Sequence, residues 1–349
     1  MRQLRLDSRA PLTAALTIAS TILALAFGEG VTRLLGLAPG VARIVVDQPD
    51  SPLQLSEDSL QVYELKPGFS SLAHPEFRTN AHGLRGPERA VPKPSGVFRV
   101  VLLGDSVVEG IGVKREADTV ASQLEGMLAE DGVEVLNAGV RGYNTQAAVT
   151  LLGRRVLPYD PDLVILVFVK NDHQSLNRHV GASWEYPRPR WSEILFAYSH
   201  LFRASAFHLN WFHFREDLDP DYLQERMGEA QARDNVAAGL EELARLSDGH
   251  SFRALVVVWP NFGSTVKDPP GLLEPHSDRL RVEALAARHG IPVVRLSTAF
   301  AHDYTRRGPG HPPPRELYTT DGMHPNPEGA RVAATILEEL IRERRLLDR

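Results

Sequence analysis

The sequence predicts a doubly wound α/β sandwich, and three observations predict it. Five runs of strand length are rich in Val, Ile and Leu and apolar on both faces: residues 98–104, 133–139, 163–169, 252–259 and 291–297. Strands that are apolar on both sides belong in a parallel sheet covered by helices on each face. Amphipathic stretches separate the runs, and strand alternating with helix builds that architecture. Polar residues follow directly on the runs, where an open parallel sheet binds its ligands.

The chain begins with a different signal. Arg2, Arg5 and Arg9 precede Pro11–Gly28, a run with no charge in it. Its length is near the lower limit for a helix crossing a hydrocarbon core about 30 Å thick. Basic residues before such a run place the N-terminus in the cytoplasm and the rest of the chain outside. We read residues 1–35 as an uncleaved membrane anchor. The alternative is a signal peptide cut at the A-x-A-like Ala24–Ala26, which would leave a secreted or periplasmic protein. Residues 36–97 carry many Pro, Gly and Ser without strong periodicity, and are expected to form a stalk and a short, β-rich extension. Residues 98–349 are expected to form one domain built on the five runs.

Within that domain, Val120, Leu124 and Leu128 make one stripe of a helix over 116–130. Segments 145–156 and 278–289 are patterned similarly. A last helix is expected to begin near Pro327, a residue suited to a first turn, with Ala330, Ala333, Ile336, Leu337 and Leu340 buried. An insertion at about 173–250 holds Trp184, Trp191 and Trp211, with Tyr186, Phe196, Tyr198, Phe202, Phe207, Phe212 and Phe214. It is expected to cap one edge of the sheet and to be helical from about 221 to 246. Its aromatics either pack the cap or wall a substrate groove.

Composition removes several function classes. There are no cysteines, which excludes disulfides, thiolate metal sites and cysteine nucleophiles. A net charge of −5 with both signs interspersed shows no clustered basic face, so no nucleic-acid partner is expected. His302, Asp303 and His311 match no zinc spacing, and no metal or cofactor is expected. Oligomeric state is not written in the sequence.

Ser106 follows a Gly-Asp turn and opens a helix, where the dipole and a free N–H favour a developing negative charge. A serine there is also an ordinary helix cap. As a nucleophile it would need a base. Of thirteen histidines, only His324 has an aspartate three residues earlier, Asp321. On a tight turn that spacing brings the carboxylate to Nδ1, fixing the tautomer and leaving Nε2 for the serine. The same spacing also suits a capping aspartate beside an idle histidine.

Four blocks then carry a resemblance: GDSVVEG at 104–110, NAGVRGYNT at 137–145, VKND at 169–172 and DGMHP at 321–325. In order and spacing they resemble the signature blocks of SGNH/GDSL hydrolases, a family of serine esterases and acylhydrolases. The resemblance implies a three-layer α/β/α fold with a parallel, flavodoxin-like sheet. It implies catalysis by Ser106, Asp321 and His324, with oxyanion donors from the Ser106 N–H, the Gly142 N–H and the Asn171 side chain. Gly142 also suits a turn of positive φ, and Asn171 a turn of its own. Val169 stands where the family often has Gly, and Val107-Val108 replace a second serine common in lipolytic members. The expected function is an ester hydrolase acting on small esters or acylated envelope glycans. The alternatives are a glycan O-acyltransferase with the same triad and a non-catalytic binding protein, whose mark would be a lost triad residue. None is lost.

Overall fold

The computed structural model describes residues 10–38, 51–58, 60–61, 63–72, 74–173, 189–214, 235–262 and 277–348. Arg2, Arg5 and Arg9, Trp184, Tyr186 and the expected helix over 221–234 lie outside them. In chain order the elements are α1 (Ala10–Leu34), β1 (Leu53–Leu55), β2 (Tyr63–Leu65), β3 (Phe98–Gly104), α2 (Ser106–Glu109), α3 (Val120–Met127), β4 (Val133–Gly139), α4 (Thr145–Leu151) and β5 (Leu163–Phe168). They continue with α5 (Arg190–Tyr198), α6 (His200–His208), α7 (Asn235–His250), β6 (Arg253–Val258), α8 (Ser277–Arg288), β7 (Val293–Arg295), α9 (Leu296–Arg307), α10 (Pro314–Tyr318) and α11 (Pro327–Glu343). The chain divides into two compact units. One holds residues 1–44 and 177–226, the other 45–176 and 227–349.

The larger unit is built on a five-stranded parallel sheet in the order β4-β3-β5-β6-β7. The five strands coincide with the five apolar runs to within two residues at each end, and the order is flavodoxin-like. Alternation along each strand sorts the core into two layers. Val100, Leu102, Ile165 and Val257 pack with Leu124 of α3, Phe300 of α9 and Ala333 and Leu337 of α11. The other strand face, with Val101, Leu103, Val164 and Leu166 buried, is covered by α4 and α7. Fully burying one such side chain contributes about 1.5–3 kcal/mol. The helix over 116–130 is broken into short 3-10 turns flanking α3, and that over 145–156 ends in a π-turn after α4. Asn326 caps α11 and Pro327 fills its first position.

Residues before β3 are tied into this unit. β1 and β2 form an antiparallel pair, and Arg85 bridges Asn137 on β4. Arg99, fully buried, donates to Glu134 and to the carbonyls of Tyr159 and Ala90.

One close approach fixes where the first helix after β3 lies. A methyl group built on Gly139 would sit 2.1 Å from the Glu109 nitrogen, so the end of β4 lies directly against α2. Gly139→Ala must push α2 and the serine at its start away from the sheet. Overpacking of this kind costs about 1–3 kcal/mol or more. A urea unfolding midpoint equal to that of the parent would remove the constraint.

Candidate active site

Three strand ends and one late loop supply the polar groups. β3 ends at Gly104, and Asp105 caps α2 by accepting from the Val107 N–H at 2.9 Å. Ser106 is therefore the first residue of α2, and its N–H is not used in any intrahelical bond. Its side chain is almost wholly buried, at 6% exposure. After β4 comes the turn 140–143, in which Gly142 has φ +77° and the Tyr143 N–H donates to the Val140 carbonyl at 3.1 Å. After β5, residues Lys170–His173 make one 3-10 turn. The Asn171 side chain donates to Asp105 Oδ2 at 2.9 Å, and its buried Oδ1 has no partner among the described residues.

The loop before α11 completes the arrangement. His324 Nε2 lies 2.8 Å from Ser106 Oγ, although the residues are 218 positions apart. On the other side of the ring, Nδ1 lies 2.6 Å from Asp321 Oδ2. A carboxylate can only accept, so Nδ1 carries the proton and Nε2 is left to accept from the serine hydroxyl. Asp321 also receives the backbone N–H groups of Met323 and His324 on Oδ1, at 3.0 and 2.9 Å. The capping and the triad readings of Asp-x-x-His are thus satisfied by one side chain, each by a different oxygen. Partial burial pushes the Asp321 carboxyl up, but the hydrogen bonds from His324 and Met323 outweigh it and hold it below the usual range.

The structure brings Ser106, Asp321, His324, Asn171 and the turn of Gly142 to the carboxyl edge of the sheet. Sequence reasoning passed over the residues that hold these loops. Glu109, fully buried on α2, pairs with the Arg141 guanidinium and accepts the Arg141 N–H, clamping the turn that contains Gly142. Tyr63 donates to the Arg141 carbonyl at 2.8 Å. Arg85 binds the Glu109 and Gly110 carbonyls from below. The Trp259 indole donates to the Met323 carbonyl at 3.0 Å, and Arg315 donates to the Asp321 carbonyl at 2.5 Å. The available signal for Glu109 was an acid inside an otherwise apolar turn. Asp303, weighed as a metal ligand, is spent on Arg306, Arg307 and the Tyr318 hydroxyl.

A cavity of about 40 Å³ adjoins the histidine and asparagine loops, lined by Phe168, Val169, Lys170, Val258, Trp259 and Met323 among others.

A model of the GDSL-like lipase/acylhydrolase family matches residues 102–332, more than half of the chain. No curated protein sequence gives a significant match. Among solved structures, a two-domain esterase active on acetylated mannans aligns with 71% of this chain and 49% of its own, at 14% identity and a TM-score of 0.42. This chain thus spans about half the length of that protein. The acetyl xylan esterase AlAXEase aligns over 70% of this chain and 100% of its own, at 15% identity and a TM-score of 0.43. A lipase/acylhydrolase from Enterococcus faecalis aligns over 71% and 96%, at 19% identity and a TM-score of 0.38.

Two buried carboxyls lie beneath the site. Burial raises Asp105, while the Val107 N–H and the Asn171 amide work against the rise. Burial and the charge of Asp105 raise Asp172 well above the carboxylate range, with the Thr145 hydroxyl at 2.9 Å as a partial offset. A raised carboxyl contributes stability in its protonated form. That contribution is complete below the unfolded value and is lost as pH rises through the folded one. Asp172→Asn keeps the shape and removes the charge. Its melting temperature should equal the parent's near pH 4 and exceed it increasingly towards pH 9. A difference that is flat with pH would show that Asp172 is ionised throughout.

Proposed function

Because this chain belongs to the GDSL-like lipase/acylhydrolase family and is therefore an ester hydrolase, we propose that it cleaves esters of short acids through an acyl-enzyme on Ser106. The observation that carries this reading is the continuous line from Asp321 Oδ2 through the His324 ring to Ser106 Oγ, at 2.6 and 2.8 Å. Ser106 Oγ gives its proton to Nε2 as it bonds to the ester carbonyl carbon. Asp321 stabilises the imidazolium, which then protonates the departing alcohol oxygen as its bond to carbon breaks. Water enters by the same base, and the acid leaves.

The tetrahedral oxyanion is taken up by the Ser106 N–H at the start of α2 and the Gly142 N–H, both groups that donate to no described residue. Asn171 adds a neutral amide N–H. Its bond to Asp105 uses one of the two amide hydrogens, and the second serves the oxyanion. The Glu109–Arg141 pair keeps the Gly142 turn at the distance the oxyanion needs.

We also take the small cavity beside the two loops as the acyl site: Met323, next to His324, and Val169, two residues before Asn171, line it, and its volume of about 40 Å³ favours an acetyl group over long chains. We further read α1 as a membrane anchor, with a 20-residue window of mean hydropathy 1.5 at Ala15–Leu34. The basic residues before it favour the extracytoplasmic side for the catalytic unit. O-acetylated envelope glycans are the substrates this reading favours, with water as the acceptor.

Ser106→Ala should lower turnover by on the order of 10⁴ or more, with loss of labelling by a fluorophosphonate. A loss of only tenfold would break the triad assignment. Asn171→Ala should cost on the order of 10²–10³ in kcat, and unchanged kinetics would remove it from the oxyanion hole. Across a series of acyl esters of one alcohol, kcat/KM for acetyl should exceed that for octanoyl by at least about tenfold. The acid should be released free, even with an oligosaccharide acceptor present. Equal rates along the series would separate the cavity from acyl binding.

A further inference from the structure

The smaller unit carries an apolar surface that its own core covers only in part: Trp191 meets Phe212 edge-on at 5.3 Å and Trp211 lies 5.9 Å from Phe202, yet both stay about half exposed. Its core is formed by Phe196, Ala206 and Phe214, with Phe202 and Phe212 packed against them, and the Phe196 and Phe214 rings stack at 4.0 Å. On α5, Trp191, Ile194, Leu195 and Tyr198 follow the i, i+3, i+4, i+7 spacing of one helix face. That face is turned outward, with exposures of 54%, 50%, 42% and 75%. Leu209 and Trp211, just after α6, are also exposed, at 57% and 43%. A soluble surface rarely gathers large apolar side chains this way, and such a patch marks an interaction site.

The same unit shows what lies against it. The charge-free part of α1 is exposed: Leu16, Ile18, Ile22, Leu23, Leu25 and Phe27 are each more than half exposed. At its C-terminal end α1 is locked to the start of α6. The Glu29 carboxylate accepts from the Ser199 hydroxyl at 2.7 Å and from the N–H groups of His200 and Leu201 at 3.0 and 2.9 Å. It thereby caps a helix from outside. Arg33 holds Glu29 at 2.6 Å and donates to the Tyr198 carbonyl, also at 2.6 Å. Arg203 donates to the Ala38 carbonyl at 2.9 Å. A methyl group built on Gly28 would lie 3.1 Å from the Leu201 side chain, so the two helices cross closely. The polar lock therefore comes directly after the charge-free run, at the level where a spanning helix leaves the hydrocarbon. Trp and Tyr are the residues enriched at that level.

We propose that α5 and the turn after α6 form a membrane-interface platform, with Trp191, Tyr198 and Trp211 seated among the lipid headgroups of the bilayer that α1 crosses. This rests on the reading of α1 as a span. The Glu29–Arg33 lock fixes α6 to the anchor, and α5 lies flat in the interface with its apolar face towards the acyl chains, as amphipathic interfacial helices do. The anchor then enters the bilayer with a fixed collar rather than through a free stalk.

The test uses the full chain in phosphatidylcholine–phosphatidylglycerol vesicles containing lipids brominated either near the headgroup or deep in the chain. Tryptophan quenching should be at least about twofold stronger with the shallow bromines. The paired variant Trp191→Phe with Trp211→Phe should lose most of it. Ile194→Asp, on the exposed face, should keep ester hydrolysis and lower the quenching. If quenching is absent, or is the same in these variants, while the protein resists carbonate extraction, the platform is overturned and the anchor stands. Release of the protein by carbonate would overturn the span and the platform together. In either case hydrolysis of a soluble ester tests the catalytic reading separately.

Discussion

A parallel sheet sends the carboxyl ends of all its strands to one edge, and every feature of the catalytic unit depends on that constraint. Ser106 follows β3, the Gly142 turn follows β4, and Asn171 follows β5. These are neighbours in space because β4, β3 and β5 are hydrogen-bonded neighbours in the sheet. The histidine comes from a loop outside the sheet and has to be carried to the same edge. α11 does this by burying Ala330, Ala333 and Leu337 against the sheet core. The loop before it is then held by Trp259 and Arg315 through its carbonyls. Such bonds to the main chain fix the position of His324 without using its ring, which keeps both ring nitrogens for Asp321 and Ser106.

Charge under the site is managed by burial in two different ways. Glu109 is paired with Arg141, so its carboxylate has a fixed cation and serves as a clamp on a turn. Asp172 has a hydroxyl from Thr145 but the unfavourable charge of Asp105 nearby, so it is driven towards its neutral form. Removing one partner of the first kind would leave an uncompensated charge. The second kind, once neutral, adds no charge to the site, and Asp105 accepts the Val107 N–H and the Asn171 amide.

Much of this was legible in the sequence, for a physical reason. A strand buried on both faces has to be apolar throughout, so each of the five strands announced itself without a partner being known. The polar groups at their ends stood out against that background, spacing suggested Asp321 with His324, and the resemblance of the four blocks joined Ser106 to them. The clamps were not legible. Glu109 and Arg141 are 32 positions apart, and their pairing depends on Gly139 letting α2 lie against β4. Trp259 read as the last residue of an apolar run, and only its indole N–H, aimed at the Met323 carbonyl, gives it a further part. Val169, which stands where the family often has Gly, is buried and lines the small cavity.

The aromatic stretch over 190–214 shows where periodicity stops being informative. Spacing of i, i+3, i+4 and i+7 says that one face of a helix leaves water, and this was read as packing of a cap or as a wall of a groove. The pattern does not distinguish protein from lipid as the apolar medium, because both reward the same side chains. What distinguishes them is exposure. Ile194 and Tyr198 stay exposed, Trp191 remains half exposed although it meets Phe212 edge-on, and the charge-free part of the helix to which this unit is tied through Glu29 is itself apolar and exposed. An apolar face that remains open after its own unit has packed needs a second phase, and the proposed span of α1, within the same unit, would bring that phase with it.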